Sequence, residues 1–113
     1  MELNKIYHCR TTKTGPTRPV TVRLTHDLKT KELVVDLICA GAPWTHFSRI
    51  SVHIQMSPYI PRNMAYIDTN NCSWAEEFLK DNNLAEDTGT TGLSGFCEYP
   101  LYKFNCISAE EEK

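Results

Sequence analysis

Alternating apolar and polar residues mark most of this chain as short β-strands. In residues 20–26 the alternating positions 20, 22 and 24 are valine or leucine, and the residues between them are polar or charged. This period of two is typical of a strand with one buried face. Residues 32–40 follow a polar turn and are apolar on both faces except at Asp36. The two segments therefore predict a hairpin whose second strand is central in its sheet.

Four other segments alternate in the same way. The most regular is residues 49–56, where four apolar side chains share one face and polar side chains share the other. The remaining three are shorter and lie at residues 5–10, 64–68 and 101–107. Together with the hairpin, these segments predict five or six short strands.

A single helix is predicted to begin near Ser73. Its apolar stripe consists of Trp74, Ala75, Phe78 and Leu79. Ser73 and Glu76 have the spacing of a capping box, in which the two side chains bond to free backbone N–H groups. Asn82 and Asn83 suit a left-handed helix end. The helix is therefore expected to be short, with one apolar face packed on the sheet.

These elements predict one α+β domain over residues 1–107, a mainly antiparallel sheet of five or six strands with one helix packed on it. A chain of 113 residues is long enough for one core of this kind. Residues 87–95 are rich in Gly and Thr and are predicted to form a long loop, a feature that is often functional. The acidic tail, residues 108–113, is expected to be disordered.

Composition narrows the possible functions only slightly. The chain is 41% apolar and 23% charged with a net charge of −2, as is usual for a soluble globular protein. It lacks the excess of Lys and Arg that a broad nucleic-acid surface needs. The N-terminus has no apolar signal sequence, and no apolar run approaches the ~18 residues of a membrane span. We therefore expect a cytoplasmic protein with reduced thiols.

Five cysteines are many for such a protein, and the odd number argues against a disulfide framework. Cys72 lies at the predicted helix start, where the helix dipole favours a thiolate. Cys9 and Cys97 could join it in a zinc site if the first strand pairs near the last, although no C-x-x-C pair is present. Candidates for a fourth zinc ligand are His8, His53 and Cys106. Zinc in such a site would be structural.

Other interpretations of the cysteines stay open. Free cysteines are often small buried hydrophobic residues, and Cys39 and Cys106 alternate with apolar neighbours as core residues do. A thiol nucleophile paired with a histidine is a third possibility, but no local signature of a cysteine hydrolase is present.

Three loop features carry weaker signals. The segment 68–71, Asp-Thr-Asn-Asn, is predicted to supply turn and cap residues. The glycines at 89–95 lack the following Lys-Ser/Thr of a phosphate-binding loop. Trp44 is either an exposed anchor for a partner protein or a core side chain, and the sequence leaves both open.

The second half of the chain also resembles a known family. The resemblance lies within residues 64–106 and rests on five short elements: DTNN from residue 68, AEEF from 75, TG from 88, SGFC from 94 and YPLY from 99. These elements are similar to those of small uncharacterised proteins from gut bacteria and their mobile elements. The family has no known chemistry, so the resemblance implies a biological context and no mechanism.

That context implies a counter-defence function. We expect a protein-binding inhibitor, an anti-CRISPR protein that blocks a type II CRISPR effector nuclease by direct binding. Such a protein would not be an enzyme and would contact neither nucleic acid nor membrane directly. Two alternatives remain: a zinc-stabilised accessory domain of phage or plasmid biology, and a small thiol enzyme.

Overall fold

Two antiparallel sheets and one short helix form the structure, a computed structural model that describes residues 2–42, 45–54 and 60–105. The strands are β1 Glu2–Cys9, β2 Arg18–His26, β3 Leu33–Cys39, β4 His46–Arg49, β5 Ser51–Val52, β6 Met64–Ile67, β7 Ala85–Ser94 and β8 Cys97–Phe104; the helix is α1, Ala75–Asp81. The strand order is β1-β2-β3-β4 in the first sheet and β5-β6-β8-β7 in the second. The antiparallel character and the single helix are confirmed, but the described residues form eight strands in place of five or six.

The predicted hairpin forms the centre of the first sheet. β2 and β3 pair in continuous register from Val20 opposite Cys39 to His26 opposite Leu33. Asp27 closes the turn, because its carboxylate accepts hydrogen bonds from the backbone N–H groups of Lys29 and Thr30. β3 lies between β2 and β4, which confirms its central position.

The strand predicted at residues 49–56 is interrupted at Ile50, where the chain passes from one sheet to the other. β4 pairs with β3 in the first sheet, and β5 pairs with β6 in the second. Ile50 is fully buried, donates its N–H to Val35 O and accepts a hydrogen bond from Asp68 N. A regular alternation cannot reveal this change, since the pattern continues through it. Residues 55 and 56, the end of the predicted strand, lie outside the described residues.

The main core lies between the two sheets and the helix. The first sheet contributes Val22 and Leu37, and β8 in the second contributes Tyr102 and Phe104. The predicted helical stripe is confirmed: Ala75, Phe78 and Leu79 are buried in this core, and Trp74 packs against it.

The helix ends as predicted but does not begin as predicted. Asn83 has a left-handed backbone with φ of 52°. At the start, the N-cap residue is Trp74, and no side chain caps the helix. The predicted capping box is therefore wrong. Glu76 instead faces the core side, where its Oε2 accepts a hydrogen bond of 2.6 Å from the Tyr102 hydroxyl. The segment 68–71 does form a turn, because Asp68 accepts hydrogen bonds from the N–H groups of Asn71.

A second, smaller apolar cluster covers the opposite face of the second sheet. Its buried members are Ile54, Ile60, Tyr66, Tyr99 and Leu101. Successive residues of β8 face opposite ways, so Leu101 lies in this cluster and Tyr102 lies in the main core. Both faces of the second sheet are therefore partly covered.

Most of the loop predicted at residues 87–95 is strand β7. It pairs with β8 from Ala85 opposite Phe104 to Ser94 opposite Cys97, with a bulge between Asp87 and Thr91. The prediction failed because glycines argue for loops, whereas three of the residues at 88–91 are threonines, which favour strands.

Candidate functional site

Two of the three predicted zinc ligands lie in the main core. Cys9 ends β1 and is fully buried, and Cys72 precedes α1 at 5% exposure. Burial, and to a smaller extent the nearby Cys72, raise the pKa of the Cys9 thiol to about 11. Cys9 is therefore protonated at neutral pH, and a buried, protonated thiol is a poor nucleophile.

Cys72 is held by the first sheet. Its Sγ lies 3.5 Å from Ser48 Oγ and 3.8 Å from the Arg49 carbonyl oxygen, to which it donates. These contacts tie the segment before α1 to strand β4. They are contacts of a structural cysteine packed against backbone.

Cys97 lies elsewhere, in the second sheet. It packs against the smaller apolar cluster, and its hydrogen bond is the first cause of the raised pKa of Tyr99. The first strand does not pair with the last, because β1 and β8 belong to different sheets. Within residues 2–42, 45–54 and 60–105, no three His, Cys, Asp or Glu side chains are placed to hold a metal ion. The structure thus brings Cys9 and Cys72 together without Cys97, and zinc binding stays a prediction.

The remaining predicted residues are dispersed. His8 lines a groove beside α1. His53 Nδ1 forms a 2.8 Å hydrogen bond with Glu32 Oε1. Cys39 is half-buried at the end of β3. Cys106 and Trp44 lie outside the described residues, so their proposed roles stay predictions.

A buried carboxylate lies on the face of the first sheet that points away from the main core. Asp36 is 5% exposed, accepts hydrogen bonds from Arg49 Nε at 2.8 Å and Nη2 at 3.3 Å, and also accepts one from His46 Nε2 at 2.9 Å. Burial raises its pKa, but the hydrogen bonds from Arg49 and His46 outweigh this effect and hold the pKa below its usual value. This is a structural ion-pair group, and its partners were not identified from sequence.

The most distinctive exposed feature is the end of the β7–β8 hairpin, which we call the hairpin tip (residues 90–98). β7 and β8 are joined by a two-residue turn at Gly95 and Phe96, and Gly95 takes a left-handed φ of 63°. Phe96 is fully exposed, and Leu93 is 68% exposed. Burying a side chain of this size normally contributes roughly 1.5–3 kcal/mol, so leaving two in water gives up a large stabilisation.

The base of the hairpin tip is fixed to the smaller cluster. A Cβ at Gly92 would lie 2.7 Å from Tyr66 and 2.8 Å from Ile54, so the strand can approach these side chains only with glycine at this position. On the other face, Thr91 Oγ1 donates a 2.8 Å hydrogen bond to Glu98. The tip therefore projects from a well-anchored strand pair.

The hairpin tip carries one acidic residue and no basic one. Residues 90–98 contain Glu98, which is exposed, but no Lys, Arg or His. Glu86 and Asp87 lie at the other end of the hairpin, opposite Lys103 and Tyr102. An exposed aromatic side chain near a carboxylate is suited to an apolar pocket with a cationic rim. The sequence predicts a long loop in this region, a feature that is often functional. It does not single out Phe96.

The comparison with known families covers the same region and more. Residues 21–112 match the family described as Domain of unknown function (DUF4313). The chain belongs to this family. The matched range includes residues 64–106 and also β3, β4 and most of β2. No curated protein and no solved structure matches the chain.

Within its described residues, the structure shows no helix suited to spanning a membrane. In the part that the structure describes, the only helix is α1, with seven residues, and none is long and apolar enough to span a bilayer.

Proposed function

We propose that this DUF4313 protein is a protein-binding inhibitor that contacts a larger protein through the hairpin tip. The observation that carries the proposal is Phe96, fully exposed on a two-residue turn between paired strands. Large exposed apolar side chains on a fixed scaffold are common at protein interaction sites, where aromatic anchors supply much of the binding energy.

The charge of the tip favours one kind of partner. Proteins that hold nucleic acid have surfaces rich in Lys and Arg. An apolar tip that carries one carboxylate and no basic residue complements such a surface better than it complements an acidic one. This charge pattern supports an inhibitor that binds a nucleic-acid enzyme. The inhibitor itself would not contact nucleic acid.

The finer proposal is an anti-CRISPR protein that binds a type II CRISPR effector nuclease in the cytoplasm of a bacterial host. It rests on the resemblance to proteins of gut bacteria and their mobile elements. Its mechanism would be steric or conformational block through an interface of about 800 Å² per partner, with no catalysis by this chain.

Phage plaquing tests the finer proposal. The protein is expressed in a host with an active type II CRISPR system and in a matched host without it. We expect plaquing to rise only in the first host. No rise with several effector variants would rule out the anti-CRISPR assignment.

Matched variants test the hairpin tip itself. Phe96→Ser should weaken inhibition of DNA cleavage by the purified effector at least about tenfold, because anchor residues cost this much or more when removed. Leu28→Ser is the control, since Leu28 is 87% exposed on the β2–β3 turn. Both variants should melt like the native protein. Equal inhibition by the two variants would contradict a role for the tip.

Zinc and thiol chemistry remain separate predictions. Metal analysis of the purified protein tests zinc, and loss of bound zinc in Cys72→Ser but not in Cys39→Ser would identify a ligand. Slow reaction of all five cysteines with iodoacetamide at neutral pH would exclude the thiol enzyme.

A further inference from the structure

A groove runs along α1, on its side facing the β1–β2 connection. Two adjoining cavities of about 220 and 260 Å³ form it, and both are lined by Arg10 and Glu77. One cavity contacts the first turn of α1 and the other contacts the following turn, so together they form an elongated groove along the helix. This shape is suited to an extended ligand.

The two walls of the groove carry opposite charges. The wall from β1 and the following loop has the cationic side chains of Arg10 and Lys13, and the helix wall has the carboxylates of Glu77 and Asp81. All four residues are exposed. Among the described residues, no ion pair joins the two walls, and the Arg10 guanidinium has only a long 3.5 Å hydrogen bond to the Lys13 carbonyl oxygen. The charges on each wall are therefore available to a ligand.

Aromatic side chains border the helix side of the groove. Phe78 is buried and packs edge-on against Tyr7, with ring centroids 6.3 Å apart. Trp74 is half-buried and lines the second cavity. These packed rings fix the helix wall relative to β1, so the spacing between the charged walls is set by the fold.

We propose that this groove binds an extended peptide segment of another protein in which acidic and basic side chains alternate. In an extended chain, successive side chains point to opposite sides. Alternation therefore directs every carboxylate to the Arg10 wall and every ammonium group to the Glu77 wall. Each exposed ion pair adds little, so a short peptide alone binds weakly, with a dissociation constant on the order of 1 mM.

Two blocked hexapeptides of identical composition test the proposal. One has the sequence Glu-Lys-Glu-Lys-Glu-Lys, and the other has Glu-Glu-Glu-Lys-Lys-Lys. Each is titrated into the ¹⁵N-labelled full chain to about 5 mM, well above the expected dissociation constant. We expect the alternating peptide to shift amide signals of the groove residues and to bind about fivefold more tightly than the block peptide.

Charge reversal of either wall gives the second arm of the test. Arg10→Glu and Glu77→Arg should each weaken binding of the alternating peptide about fivefold. Lys29→Glu and Glu86→Arg make the same charge changes at exposed positions outside the groove, and they should bind normally. Dispersed amide spectra establish that each variant is folded.

Three outcomes would overturn the proposal: equal binding of the two peptides, shifts confined to residues outside the groove, or no shift at the highest concentration. The groove and the hairpin tip belong to different elements, so these results do not depend on the inhibitor proposal.

Discussion

Gly92 shows how one missing side chain positions a strand. β7 passes close to Tyr66 and Ile54 at this residue, and any Cβ would come within 3 Å of both. Both neighbours are buried in the smaller cluster, so neither can move aside freely.

We expect Gly92→Ala to lower the free energy of unfolding by about 1–3 kcal/mol, the usual cost of overpacking a tight site. Urea denaturation measures the change. Ser94→Ala, at an exposed residue of the same strand, is the control and should be close to neutral. A stabilising effect of Gly92→Ala would contradict the close approach.

Asp36 predicts a pH-dependent stability. Its pKa is lower in the folded protein than the value of about 3.9 for an unfolded chain. The contribution of Asp36 to the free energy of unfolding is therefore complete above the pKa of the unfolded chain. This contribution is lost as the pH falls through the lower pKa of the folded protein.

Asp36→Asn should lower the free energy of unfolding by about 1–3 kcal/mol at pH 7, since it leaves Arg49 and His46 without their carboxylate. The difference from the native protein should shrink as the pH falls below about 4. Denaturation at a series of pH values checks this, with the exposed Asp81→Asn as control. A difference that stays constant down to pH 2 would contradict the ion-pair role.

Sequence identified Asp36 as the polar exception on a buried strand, but it could not supply the partners. Arg49 and His46 come from β4, and a register shift in the β3–β4 pairing puts both beside the same carboxylate. Local patterns do not encode such a shift. The same holds for the cysteines: the positions of Cys9 and Cys97 depended on which strands pair.

At the scale of elements, α1 was the easiest to predict and its start the hardest. The apolar stripe fixed the buried face, and the asparagines fixed the end. The capping box failed because Glu76 has a tertiary partner in Tyr102, a residue 26 positions away. The spacing of Ser73 and Glu76 does not reveal whether Glu76 caps the helix or bonds to a distant residue.

The competition makes a prediction about two substitutions. Tyr102→Phe should lower the free energy of unfolding by about 1–2 kcal/mol, because it removes a hydrogen bond to a carboxylate. Ser73→Ala should change it by less than about 0.5 kcal/mol, since Ser73 caps nothing. Thermal melts of both variants measure the difference. A loss of about 1 kcal/mol in Ser73→Ala would indicate a working cap.

The failure at β7 has a different cause. An edge strand whose residues are nearly all exposed carries no alternation to detect. β7 is a strand because its backbone pairs with β8. A local sequence of threonine and glycine residues does not reveal that pairing. The segment most relevant to function was therefore the one that sequence patterns described least well.

At the scale of the whole molecule, one chain segment joins the two sheets. Residues 46–52 pass from β4 in the first sheet to β5 in the second. Sequence predicted one sheet with a helix, because residues 49–56 look like one strand. Ile50 has backbone hydrogen bonds to Val35 in the first sheet and to Asp68, the residue after β6 of the second sheet, so the two sheets are joined through this segment and share a core. We expect them to unfold as one cooperative unit.

Ser51 provides the test, because its side chain joins the sheets directly. Ser51 belongs to β5 in the second sheet, is buried, and its Oγ accepts the N–H of Val35 in the first sheet at 2.9 Å. Ser51→Ala leaves the buried N–H of Val35 without a partner, which should lower the free energy of unfolding by about 1–3 kcal/mol. In native-state hydrogen exchange, the slowest amides of β2 and β8 should both lose protection by the same factor, about fivefold or more. Ser94→Ala, an exposed serine at the hairpin tip, should leave both unchanged. Loss confined to one sheet would mean that the sheets open separately, and that the segment through Ile50 connects them without coupling their stability.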